Sequence, residues 1–155
     1  MSTAEQRPVL IAYDGSPTAD HAIAVAGELL GGGPVELVHA WEPVYSAAAR
    51  SAVYLYGAVE TESAYEEEQT RARTVAEQGA ELARAAGFEV HAFAVSGNGP
   101  AWQTLIEQVE TIRPRLVVMG SRGLTGVRAA LGSVSHHVAS HATVPVLTVP
   151  PAARG

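Results

Sequence analysis

Five short apolar runs punctuate this chain, and each of the first four is followed by enough residues for a crossover before the next begins. They are Pro8–Tyr13, Val35–Ala40, Phe88–Val95, Leu116–Met119 and Pro145–Val149. Short apolar runs bounded by Gly and Pro read as strands buried on both faces. Strands that alternate with helix-length segments pair in parallel, because each return to the sheet needs a crossover. The expected fold is therefore α/β, with one five-stranded parallel sheet and helices on both faces, Rossmann-like in outline. At 155 residues, with neither an internal repeat nor a linker in view, a single domain over 1–155 is expected. Its core should run from about Pro8 to Val149.

The segments between the strands carry their own start and stop signals. Ser16 is a good N-cap and Pro17 suits the first helical position, which predicts a helix to about Leu30. Its inward face would hold Ala22, Val25, Ala26 and Leu29, and Gly31-Gly32-Gly33 would end it. A long helix is expected over Thr61–Ala86, with Glu66-Glu67-Glu68 early and Arg71, Arg73 and Arg84 later. That order suits the helix dipole, and Glu67 can pair with Arg71 on a solvated face. A third helix should follow Asn98-Gly99-Pro100, with Trp102, Leu105, Ile106 and Val109 inward. Residues 42–60, rich in alanine and tyrosine, carry no clear period.

Composition removes several function classes. There is no cysteine, which excludes disulfides, thiolate metal sites and cysteine nucleophiles. Lysine is absent too, so neither Schiff-base chemistry nor a Walker-type P-loop is available. The formal net charge of −6 offers no basic face for a nucleic-acid partner. No apolar run approaches the length of a membrane span, and MSTAEQRP lacks the apolar core of a secretory signal. A cytoplasmic location is the expectation.

Ligands on open parallel sheets sit beyond the carboxyl ends of the strands. That places Tyr13-Asp14-Gly15, His39-Ala40-Trp41, Val95-Ser96-Gly97 and the stretch from Gly120 to Ser135 in view. The last is the most specific. Gly120 and Gly123 can expose their backbone directly after a strand, and Gly132-Ser133 opens a short helix whose first N–H groups attract an anion. Ser133 and Ser135 would add hydroxyls, and Arg122 a positive charge. An ordinary glycine-rich connection with Ser133 as N-cap accounts for the same letters. Asp14 is likewise either a ligand at a strand end or plain turn chemistry before glycine. His136, His137 and His141 lack the further ligands of a zinc motif and read as surface histidines. His39 reads as a satisfied core or rim histidine.

Asp14 near the start, "VHAWEP" after the second run, and "VVMGSRGLTGVRAALGSVSHHVASHATVPVLTV" together resemble the universal stress protein family, over about Pro8 to Val149. The resemblance implies the strand order 3-2-1-4-5 and, in one subgroup, ATP binding accompanied by Mg²⁺ or Mn²⁺. Carried over, the adenine pocket would use the backbone around Ala12, Tyr13 and Ala40 with Met119 nearby, and Asp14 would hold the ribose. Gly120, Arg122, Gly123, Gly132, Ser133, Val134 and Ser135 would surround the phosphates. The resemblance also implies a homodimer, through the final strand Val144 to Val149. One departure stands out: eight residues, Leu124 to Leu131, separate Gly123 from Gly132, where the family's ATP-binding pattern has nine. The expected role is a stress-response sensor or regulator. A family member working through protein contacts without nucleotide, a slow ATPase or phosphotransferase, and a flavin or electron-transfer module remain the alternatives.

Overall fold

A computed structural model describes residues 6–44, 55, 60–123 and 132–154. The strands are β1 (Val9–Ala12), β2 (Gly33–Trp41), β3 (Phe88–Ser96), β4 (Leu116–Gly120) and β5 (Val146–Val149). The helices are α1 (Pro17–Leu30), α2 (Glu60–Ala85), α3 (Ala101–Ile112) and α4 (Ser133–His141). All pairings are parallel and the sheet order is β3-β2-β1-β4-β5. Order therefore reverses between β1 and β4, which opens a crevice at their carboxyl ends.

The central strand shows why the sheet needs helices on both sides. Val9, Leu10 and Ile11 are fully buried, with Val9 and Ile11 in one apolar cluster and Leu10 and Ala12 in the other. Alternate side chains leave a strand on opposite faces, so two cores form, one per face. The first gathers α1 and α2 against the sheet through Ala22, Ile23, Ala26, Ala76 and Ala83. The second gathers α3 and α4 through Leu105, Val109 and Val138.

Helix α1 begins as its sequence predicts. Ser16 Oγ accepts from Ala19 N at 3.1 Å, Pro17 opens the first turn, and Gly31 ends it in the left-handed conformation. Its inward face departs from expectation, however. Ile23 is buried and Leu30 packs against the same cluster, whereas Leu29, beside it in the last turn, is 64 % exposed. On α2, Ala72, Ala76, Ala80 and Ala83 form the buried stripe. Small residues let this long helix lie close to the sheet. Gly79 is the tightest point: a Cβ there would come within 2.6 Å of the Tyr13 ring. The charged face is solvated as expected, with Glu67 and Arg71 4.0 Å apart and Arg84 2.8 Å from Glu77.

On α3, Leu105 and Val109 are buried, and Trp102 and Ile106 pack against the same cluster. Among the described residues, no helix is long and apolar enough to cross a membrane. Most of the stretch 42–60, and the segment 124–131 whose length departs from the family pattern, lie outside the described residues.

Candidate functional site

A cavity of about 390 Å³ lies at the carboxyl end of the sheet, over the β1/β4 switch point. Its volume falls in the range of small-molecule pockets. The floor follows from strand register. Ala12 lies beside Val38 on one flank and Met119 on the other, and these residues present their side chains to the α3/α4 face. Ala40 continues the floor along β2, while Ala101 and Leu105 of α3 wall it. Alanine at the central position leaves depth that a larger side chain would fill. This end of the cavity is apolar.

The opposite end is polar and built from turns. Asp14 and Tyr13 follow β1, Gly120, Arg122 and Gly123 follow β4, and Gly132 to Ser135 open α4. Every residue that the resemblance implied for the site lines one cavity: Ala12, Tyr13, Asp14, Ala40, Met119, Gly120, Arg122, Gly123, Gly132, Ser133, Val134 and Ser135, whereas Gly15, His39, Trp41, Val95, Ser96 and Gly97, also in view after the strands, do not. Pattern reading missed Ala19, Val38, Ala101 and Leu105. Val38 was available from the strand period, two residues before Ala40 on the same face. Ala101 and Leu105 are four apart on α3, a spacing that shares one helix face.

Individual roles sharpen once geometry is added. Gly132 is the N-cap of α4 and makes no side-chain cap bond, so Ser133 is the first helical residue rather than the cap. The first intrahelical acceptor, Gly132 O, takes His136 N, and the N–H groups of Ser133, Val134 and Ser135 come before any helical partner. The Ser135 hydroxyl is not spare. It is buried and donates to the carbonyls of Ser121 and Gly132, each at 3.0 Å, so it holds the turn together instead of facing a ligand. Ser121 O also accepts from Gly132 N at 2.7 Å. A Cβ on Gly132 would lie 3.8 Å from Gly123 N, so the two glycines meet across the turn.

Gly120 is glycine for packing: a Cβ would stand 2.9 Å from Thr18 Cγ2 and 3.2 Å from that residue's carbonyl carbon. Gly123 makes room for Asp14, whose Oδ2 would lie 2.8 Å from a Cβ there. Asp14 Oδ1 accepts from Ser16 N at 2.9 Å, the turn chemistry that its sequence context suggested. The other oxygen remains on the cavity side. Tyr13 reaches the cavity only through its main chain. Its ring joins the α1/α2 core and its hydroxyl donates to Asp20 Oδ1 at 2.7 Å. Burial first, then that hydrogen bond and the negative charges of Asp20 and Asp14, raise the phenol's pKa above its ordinary value.

His39 is half-buried and donates Nδ1–H to Tyr13 O at 2.8 Å, the satisfied rim histidine expected. Burial lowers its pKa, against the opposing pull of that bond and of Asp14. His137 and His141 lie against Trp102, with ring centroids 4.7 and 5.0 Å away. Their Nδ1–H groups donate to Ser133 O and His137 O. Among the described residues, no group of three or more His, Asp or Glu could hold a metal ion.

A doubly wound parallel sheet with a cavity at its switch point, apolar at one end and polar at the other, defines an α/β fold of the Rossmann-like class. Within that class, the model of the universal stress protein family matches residues 6–150, and the chain belongs to this family. Solved structures share the fold. A hypothetical protein solved as a structural-genomics test case of function assignment is 21 % identical, with TM-score 0.75 over 96 % of this chain and 99 % of that one. A universal stress protein in complex with cAMP is 21 % identical, with TM-score 0.63 over 95 % and 98 %. The universal stress protein from Archaeoglobus fulgidus in complex with dAMP is 18 % identical, with TM-score 0.57 over 92 % and 96 %. No curated protein matches the chain.

Proposed function

We propose that this protein binds ATP in the switch-point cavity and acts as a stress-response sensor or regulator. The observation that carries the reading is the meeting of an apolar floor and an uncapped helix start in one cavity of about 390 Å³. The floor of Ala12, Val38, Ala40 and Met119 suits a purine ring, and neighbouring backbone groups can read its edge. Asp14 Oδ2 is placed to accept from ribose hydroxyls. The N–H groups of Ser133, Val134 and Ser135, the Gly123 backbone and Arg122 suit phosphates. Family membership and relatives in complex with cAMP and dAMP support an adenine nucleotide as the class of ligand.

The residues also fit a divalent cation that arrives with the nucleotide. Among the described residues of the lining, Asp14 is the single carboxylate and Ser133 supplies a hydroxyl. Mg²⁺ or Mn²⁺ held this way would lean on phosphate oxygens and water, as Mg²⁺ commonly does, and would offset phosphate charge. Among the described residues no histidine lines the cavity to serve as a base, and the reading is binding rather than rapid hydrolysis. The spacing of eight residues between Gly123 and Gly132 favours a second reading, a regulator acting through protein contacts without nucleotide.

Thermal unfolding in millimolar ATP, AMP, cAMP and GTP, with and without Mg²⁺, separates the readings. A midpoint raised by adenine nucleotides is expected. An unchanged midpoint with all four supports the second reading. The proposal includes a homodimer through Val144 to Val149, because β5 is a sheet edge whose Val146 and Leu147 stay half-exposed. Light scattering should report twice the chain mass for the parent and a monomer for Leu147→Asp. A monomeric parent refutes the dimer.

A further inference from the structure

We infer that His39 is a positioning residue, which aims the Asp14 carboxylate at the ribose without touching the ligand itself. The inference rests on the nucleotide reading above and names the group on which that site's sugar selectivity depends. Asp14 has one oxygen committed, since Oδ1 accepts from Ser16 N at 2.9 Å. Oδ2 is the oxygen that the Ser16 bond leaves untouched, and it is packed against Gly123, where even a methyl group would meet it at 2.8 Å. Its aim therefore depends on the peptide that joins Tyr13 to Asp14.

That peptide lies just past the last residue of β1, where strand order reverses and ladder support ends. Its carbonyl is held by a side chain instead: His39 Nδ1–H donates to Tyr13 O at 2.8 Å. Tyr13 N donates to Val38 O at 2.9 Å. Two adjacent residues of β2 thus clamp the nitrogen and the carbonyl oxygen of Tyr13, and a third restraint comes from its hydroxyl on Asp20. The imidazole is absent from the cavity lining. Burial keeps the ring towards its neutral form, which has one N–H to donate, and the carbonyl requires it on Nδ1. Asparagine carries its amide nitrogen at the same bond separation from Cβ, so it can make the same bond. Leucine fills the space and cannot.

The experiment compares ATP, 2′,3′-dideoxy-ATP and inorganic triphosphate by calorimetry on the parent, His39→Leu and His39→Asn. The parent should prefer ATP to the dideoxy compound by about tenfold or more, as hydrogen bonds to a charged group allow. His39→Leu should bring that ratio close to one, His39→Asn should restore it, and triphosphate affinity should stay level in all three. A leucine variant that keeps the parent's ratio, or an asparagine variant that behaves like leucine, overturns the inference alone. A parent that binds no adenine nucleotide overturns the nucleotide reading and this inference together. Should His39→Leu not fold, ¹⁵N NMR of the parent decides. An Nδ1–H tautomer whose resonances respond to ATP and not to triphosphate is expected, and an Nε2–H tautomer overturns the assignment.

Discussion

Helices α1, α3 and α4 each begin at the carboxyl end of the sheet, and the chain treats their starts differently. Helix α1 is closed by its own sequence, with Ser16 Oγ accepting from Ala19 N and Asp14 Oδ1 from Ser16 N. Helix α3 is closed from a distance, since Glu42, just past β2, accepts from Ala101 N at 2.6 Å. Helix α4 starts at Gly132, and among the described residues no side chain caps it. An uncapped helix start leaves N–H donors and partial positive charge available. The chain satisfies two of these ends internally and leaves open the one that faces the polar half of the cavity. That difference, more than the number of glycines, is what distinguishes a cradle from a loop.

The comparison can be broken most strongly at its open end. Gly132→Asp would give α4 its own acceptor and add negative charge where phosphate would sit. ATP affinity should fall by on the order of a hundredfold, about 2–3 kcal/mol, while the thermal midpoint holds or rises slightly. Gly120→Val should act on the fold instead. Its side chain would collide with Thr18, and chemical denaturation should show a loss of about 1–3 kcal/mol. At the closed end of α1, Ser16→Ala should cost about 1 kcal/mol of stability and leave ATP affinity unchanged.

The smallest effect is confined to acid pH. His39 has a pKa below the ordinary 6.5 in the folded chain, so the unfolded chain binds more protons in that window. Stability should therefore be fully present above 6.5 and decline as pH falls below it, towards the folded-state pKa. In His39→Asn this part of the slope should vanish from denaturation curves taken at successive pH values.

Elements written in local letters were legible in the sequence. Ser16-Pro17 and Gly31 bound α1 where expected, and the five apolar runs became the five strands within a residue or two. Strand order came from the family resemblance, because crossover rules restrict topology without choosing one. What local letters do not encode is which face or partner a side chain finds. Tyr13 was placed at the site by its position after β1, yet strand parity sends its ring to the opposite core. Ser135 looked like a free donor, but its hydroxyl is taken by two carbonyls, one of them fourteen residues away. The cap on α3 joins Glu42 to a residue 59 positions on, and no window of sequence holds both. Leu29 fitted the helical period of α1 but is left exposed, and its neighbour Leu30 packs against the core instead.

The ATP site proposed above consists of the uncapped start of α4 and the apolar floor over β1 and β4. Calorimetric titration of ATP with Mg²⁺ into the parent and Gly132→Asp, both checked for matching thermal midpoints, tests it most directly. One site per chain is expected in the parent, with affinity weakened by on the order of a hundredfold in the variant. Absence of binding heat in the parent, or equal affinity in the two proteins, would contradict it.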